Sequence, residues 1–181
     1  MAKIKNFQMK NIKNILGREG YGCSASLYLD GKRIGTYVDY GDGGEESIDY
    51  ISPKMEEKMM KFIINYAKEH PDKFMIDLYK ERPKQFKEEC ERFKKYHPYI
   101  SDEDITIETM SANSIVYIVD DFLQLYEKEK MFKKYLKKGY RAISVKGNNI
   151  TANPKSWNDE KIKEKIKDDE LYLSLDDFNI E

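Results

Sequence analysis

Glycines 17, 20 and 22 open the stretch GREGYGCSASLYLDGKRIGTYVDYGDGG, residues 17–44, in a G-x-x-G-x-G spacing, and clustered glycines are what phosphate cradles are made of. The order matches neither the dinucleotide fingerprint nor a P-loop, because no G-K-[ST] follows. The next segment also alternates like a strand, whereas those cradles open a helix. A glycine loop between strands occurs in protein kinases, but the lysine strand, H-R-D and D-F-G that accompany it are missing. The glycines are therefore expected to serve loops with positive φ. DYGDGGEES supplies carboxylates for a calcium loop, yet Gly41 and Gly43 fall on positions that would have to donate oxygen. Cys23, His70, Cys90 and His97 form no C-x2-4-C or H-x3-5-H pair for zinc, and no nucleophile elbow accompanies them. Pro71-Asp72 matches the first two residues of a metal-dependent nuclease motif whose E-x-K strand does not follow. The acids Asp102, Glu103, Asp104, Asp120 and Asp121 read as loop and helix surface. The expectation is a chain with no catalytic residue, no metal and no cofactor.

Charge is the remaining source of chemistry. The 181 residues carry 32 basic and 33 acidic side chains, and near-neutrality argues against a simple nucleic-acid coat protein. The sum hides blocks. Asp39–Asp49 holds five acids and no base, Glu127–Ile150 eight bases and two acids, and the tail from Asp168 six acids and no base. Lys133, Lys134, Lys137, Lys138 and Arg141, interleaved with Tyr135 and Tyr140, are suited to phosphate contact and base stacking. Asp168, Asp169, Glu170, Asp176 and Asp177 of the tail, or the Asp39–Asp49 loop, could instead imitate the charge of nucleic acid. These two sets are the candidate partner-binding residues. Two cysteines are too few for a disulfide framework, MAKIKNFQMK lacks a signal-peptide core, and no apolar run approaches a membrane span. The chain therefore reads as a cytoplasmic protein without membrane attachment.

The elements that must position these residues follow from pattern. Asp30-Gly31 favours a two-residue hairpin turn. Its register sets Leu29 opposite Lys32, Tyr28 opposite Arg33, Leu27 opposite Ile34, Ala25 opposite Thr36, Ser24 opposite Tyr37 and Cys23 opposite Val38. Cys23 then lies in the core, and Tyr28 and Arg33 stack on the other face. Ile4, Phe7, Met9, Ile12 and Ile15 fit no single period but favour a strand, which completes a three-stranded antiparallel meander. Ser52-Pro53 starts a covering helix with Met55, Met59, Phe62, Ile63 and Tyr66 on one face, ending near His70. Helices are expected over 72–80 and from Pro83 to Pro98, then an acidic loop with a short strand at 105–110. A long helix runs from Ser114 to Lys138, closed by Gly139. A second hairpin turns at Gly147-Asn148 and pairs Val145 with Ile150. A charged helix over 159–167 leads to the tail, which keeps Leu171, Leu173, Leu175 and Phe178 and either docks as a strand or binds a partner. The expected class is α+β, with residues 1–155 as one domain and 156–181 as charged helix and acidic tail.

The N-terminal stretch 17–44 followed by the Ser52 helix resembles the openings of small accessory proteins of low-GC phages and mobile elements. With its length and lysine-rich composition, the chain resembles anti-CRISPR proteins of the type II class. The resemblance rests on about a quarter of the chain and transfers no site residues. It implies stoichiometric inhibition in the bacterial host cell by binding an RNA-guided effector nuclease, with or without its guide RNA or target DNA. The alternative from the residues alone is a small nucleic-acid-binding accessory protein.

Overall fold

The computed structural model describes residues 1–111, 115–147, 149–165 and 169–180; Ser114, Asn148, Asp168 and the end of the expected 159–167 helix lie outside the described residues. In chain order the elements are β1 (Lys3–Ile4), β2 (Phe7–Leu16), β3 (Tyr21–Leu29), β4 (Lys32–Val38), β5 (Ser47–Tyr50), α1 (Pro53–Glu69), α2 (Lys73–Glu81) and α3 (Pro83–Tyr96). There follow α4 (Ile107–Ser111), α5 (Ile115–Lys137), β6 (Tyr140–Lys146), β7 (Asn149–Pro154), α6 (Asp159–Lys165), β8 (Glu170–Tyr172) and β9 (Asn179–Ile180). Short 3-10 turns occupy Asp102–Asp104 and Asp176–Phe178. The class is α+β. One sheet has the strand order β5-β4-β3-β2-β1-β9 and the other β7-β6-β8, so the second hairpin makes its own sheet. Two compact units divide the chain, residues 9–119 and residues 1–8 with 120–181.

In the 9–119 unit the Asp30-Gly31 turn forms with both residues at positive φ, 52° and 72°. The expected register holds for two pairs, Leu29 with Lys32 and Tyr28 with Arg33, and then slips. A bulge leaves Leu27 opposite Gly35, Ser26 opposite Thr36, Ala25 opposite Tyr37 and Ser24 opposite Val38. The slip turns Tyr37 into the core beside Cys23, Ala25, Leu27 and Leu29, where Val38 had been expected. The slip brings Gly35 opposite Leu27, and a Cβ at residue 35 would stand 2.6 Å from the Asp49 carbonyl oxygen, so β5 lies too close for any other residue type there. Arg33 does not stack on Tyr28 but donates to Thr36 Oγ1 at 2.8 Å, and Lys10 Nζ sits 4.5 Å over the Tyr28 ring instead. The broken period of β2 has a local cause. Asn11 adopts φ 56°, a left-handed conformation that Asn tolerates, which shifts the alternation between Met9 and Ile12.

The covering helix starts at Ser52-Pro53 as expected and buries Met59, Ile63, Tyr66 and Ala67. Met60 and Ile64 are also buried, in a second cluster with Ile100 against which Phe93, Tyr99 and Ile105 pack. Asp72 caps α2, its carboxylate accepting from the Phe74 and Met75 N–H groups at 2.9 and 3.1 Å. The strand expected at 105–110 is instead α4. Thr106 and Thr109 bond each other reciprocally, Thr106 N–H to Thr109 Oγ1 at 2.9 Å and Thr109 N–H to Thr106 Oγ1 at 3.3 Å, a capping box with Thr in the place of Glu.

The glycines of the opening stretch answer to space as much as to φ. Gly41 and Gly43 have positive φ, whereas a Cβ at Gly17 would stand 2.2 Å from the Tyr40 and Gly41 carbonyl oxygens, and one at Gly22 2.2 Å from the Asp39 oxygen. Close backbone approach, rather than left-handed geometry, requires Gly17 and Gly22. Gly22→Ala is expected to lower the urea midpoint of unfolding by the equivalent of about 1 to 2 kcal/mol, as overpacking does. Gly20→Ala, which meets nothing within 4 Å, should stay within about 0.5 kcal/mol of the parent.

In the other unit, Phe7 meets Phe122 edge to face at 5.8 Å, and Ile4, Leu125, Phe132, Ile143, Ile162 and Phe178 are buried. Val145 pairs with Ile150 as expected, and Gly139 and Gly147 take positive φ at the ends of α5 and β6. The tail docks: β8 pairs antiparallel with β6, and β9 parallel with β1.

Candidate partner interface

The second half of α5 and the turn that ends it carry two stripes. Phe122, Leu125, Glu129 and Phe132 point inward, and Lys130, Lys133, Lys134, Lys137 and Lys138 recur at i, i+3, i+4, i+7 and i+8 on an exposed face. With Tyr126 and Glu129, the five lysines line an open depression of about 510 Å3. Lys133 reaches back to Glu129 Oε1 at 2.6 Å, and Lys130 contacts Glu127 at 3.0 and 3.2 Å. Lys138 Nζ lies 5.9 Å from the centre of the Tyr135 ring, which meets Tyr140 edge to face at 5.5 Å. Lys134 and Lys137 make no ion pair among the described residues. They stand free at the negative end of the helix dipole, which favours their charge.

Arg141 does not join this face. Its Nε and Nη2 both bond Asp159 Oδ1, at 2.9 and 2.5 Å, so its charge is already matched at the start of α6. The acidic candidates divide in the same way. Glu170 accepts from Lys128 at 2.5 Å and from the Tyr172 hydroxyl at 2.7 Å. Burial alone would raise its carboxyl pKa, and these two donors bring it below the ordinary value. Asp177 accepts from the Leu173 and Ser174 N–H groups at 2.6 and 2.8 Å, so it closes a turn of its own chain. Asp176 is exposed and Asp169 half-buried, with no partner to either carboxylate among the described residues; Asp168 lies outside them.

Glu129 was missed by the sequence reading. Its side chain is 2% exposed, and its Oε2 accepts from the Ala2 N–H at 2.8 Å, while Oε1 faces Lys133 and the Met1 amino nitrogen, the latter at 3.1 Å. Burial pushes its pKa up, but the Lys133 ammonium, the Ala2 N–H and the Met1 amine outweigh that and hold it below the ordinary glutamate range. The signal was periodic: Glu129 falls four residues after Leu125 and three before Phe132, inside the apolar stripe.

Cys23 is a buried thiol in β3 and Cys90 a half-buried one on α3. His70 stacks on Tyr66 at 4.3 Å, and His97 Nδ1 lies 3.0 Å from the Tyr99 hydroxyl. Among the described residues no three of His, Cys, Asp or Glu are grouped to hold a metal ion, and no helix is long and apolar enough to cross a membrane. No protein-family model, curated protein or solved structure matches the chain.

Proposed function

We propose that this protein is a non-catalytic inhibitor that binds a type II RNA-guided effector nuclease and blocks its action on DNA, with the lysine face of α5 lying along the phosphates of guide RNA or target DNA. The observation that carries this reading is the exposed set Lys134, Lys137 and Lys138, none in an ion pair among the described residues, at the end of a helix anchored on Phe122, Leu125 and Phe132. From Lys130 to Lys137 the helix rises about 10 Å, which spans roughly three phosphates of one strand of duplex at about 3.4 Å each. Lysine contacts of this kind carry no sequence preference, which suits a guide or target of any sequence. The resemblance of the N-terminal stretch to type II anti-CRISPR proteins supplies the partner, and the α5 face supplies the means.

The same face supports the alternative of a small nucleic-acid-binding accessory protein, and one experiment separates the two. Purified protein is incubated with a type II nuclease, with and without guide RNA, and complex formation and DNA cleavage are measured on the same samples. Under the first reading the parent forms a complex and stops cleavage, while Lys134→Glu/Lys137→Glu/Lys138→Glu does so at least tenfold less well. Uninhibited cleavage at saturating protein removes the nuclease reading for the enzyme tested. Binding to a DNA duplex alone, with a salt slope that falls by up to about 3 in the triple variant, would then support the alternative.

A further inference from the structure

A second exposed surface lies where the loops of the 17–44 stretch interlock, and it goes beyond the lysine face. The turn between β2 and β3 is closed by the Gly17 N–H donating to the Gly20 carbonyl at 2.9 Å. The Glu19 N–H donates to the Gly41 carbonyl at 2.9 Å, and the Gly41 N–H to Asp39 Oδ1 at 2.8 Å. With the close backbone approaches at Gly17 and Gly22, these bonds lock the two loops together. On this locked base Leu16 is 76%, Tyr21 83% and Tyr40 57% exposed. Leu16 and Tyr21, the last residue of β2 and the first of β3, flank the Gly17–Gly20 turn, and the Tyr40 carbonyl lies against Gly17. Single exposed apolar side chains are ordinary, whereas two tyrosines and a leucine on one rigid pair of loops are the composition of a binding surface.

Charge selects the occupant. On these same two loops Glu19, Glu45 and Glu46 are exposed and Asp42 is half-exposed, with no ion pair among the described residues, and Arg18 is the cation of the turn. Carboxylates repel phosphate, so nucleic acid does not fit this end. Nor does the cluster read as a cation site, since Asp39 and Asp42 each spend an oxygen on backbone N–H groups of their own loop. Tyrosine faces flanked by carboxylates recognise guanidinium, by stacking and by charge-assisted hydrogen bonds together. We infer that the Leu16, Tyr21 and Tyr40 surface, with Glu19, Asp42, Glu45 and Glu46 on the same two loops, docks an arginine-rich segment of a partner protein. A rigid base lowers the ordering cost of that contact.

The test uses a fluorescein-labelled nona-arginine peptide and fluorescence anisotropy on the full chain. The parent is expected to bind it at least threefold tighter than nona-lysine. Tyr21→Ser/Tyr40→Ser and Glu45→Gln/Glu46→Gln should each weaken binding about tenfold, while Tyr21→Phe/Tyr40→Phe, which keeps the rings, retains it. Circular dichroism melts confirm that each variant folds. Binding of the parent that equals that of Tyr21→Ser/Tyr40→Ser, or no binding by the parent, overturns the inference. So does concentration-dependent self-association that the serine variant abolishes, because a second copy would then be the occupant. Failure here is distinct from failure of the lysine-face reading: the loop variants leave duplex DNA binding unchanged, and the α5 triple variant leaves nona-arginine binding no weaker.

Discussion

Glu129→Ala is expected to lower the unfolding free energy by about 2 to 4 kcal/mol, read from urea titrations at pH 7. The carboxylate is buried and satisfies the Ala2 N–H, itself in a fully buried residue. Removal leaves that donor without a partner and opens a cavity between Leu125 and Phe132. Lys133 contributes less to the loss, because its side chain is 46% exposed and rehydrates when released. Glu129→Gln keeps the shape and an acceptor for Ala2 but not the charge, so about 1 to 2 kcal/mol is expected. The pH dependence has a defined sign. The folded-state pKa of Glu129 lies below the ordinary value of 4.5, so its ionisation stabilises the fold above that value and ceases to do so as pH falls through the lowered one. The gap between the parent and Glu129→Gln is therefore present at pH 7 and narrows below about 4.5. A gap that stayed constant down to pH 3 would show that the carboxylate's charge is not what holds the N-terminal strand to α5.

Why Glu129 went unread while the Asp30-Gly31 hairpin did not is a matter of range. Asp-Gly specifies its turn within two residues, and Ser52-Pro53, Gly139 and Gly147 likewise punctuate elements through their own backbone chemistry. The hairpin register holds for the two pairs next to the turn and slips beyond them, where Gly35 lies against β5, a strand later in the chain. Thr106 and Thr109 form α4 by a side-chain exchange, while their β-branched composition points to a strand. At the candidate interface the lysine spacing was legible because helical periodicity alone places it. The loss of Arg141 to Asp159 and of Glu170 to Lys128 was not, since each pairing joins residues 18 and 42 positions apart. Charge blocks in a sequence count charges before their partners are known, and folding removes a share of them.

The tail shows the same division, and Phe178→Ala measures it. Phe178 is fully buried, stacked on Tyr172 at 4.6 Å and tilted against Phe132 at 5.5 Å. Truncation of such a side chain costs about 3 to 5 kcal/mol, from lost transfer energy and the cavity left behind. That is a large share of the total stability of a chain of this size. Asp177→Ala should cost about 1 kcal/mol, because two backbone N–H groups lose their acceptor. Asp176→Asn, at an exposed carboxylate, should stay within about 0.5 kcal/mol of the parent. This ordering follows if the tail is part of the core and its acids serve mainly to keep it solvated and turned. A freely presented acidic tail would give the reverse: Phe178→Ala would leave the urea midpoint unmoved, and Asp169→Asn with Asp176→Asn would remove partner binding without touching stability. Running the stability and nuclease-binding measurements on the same variants decides between them, because the docked arrangement ties partner binding to Phe178 only through folding.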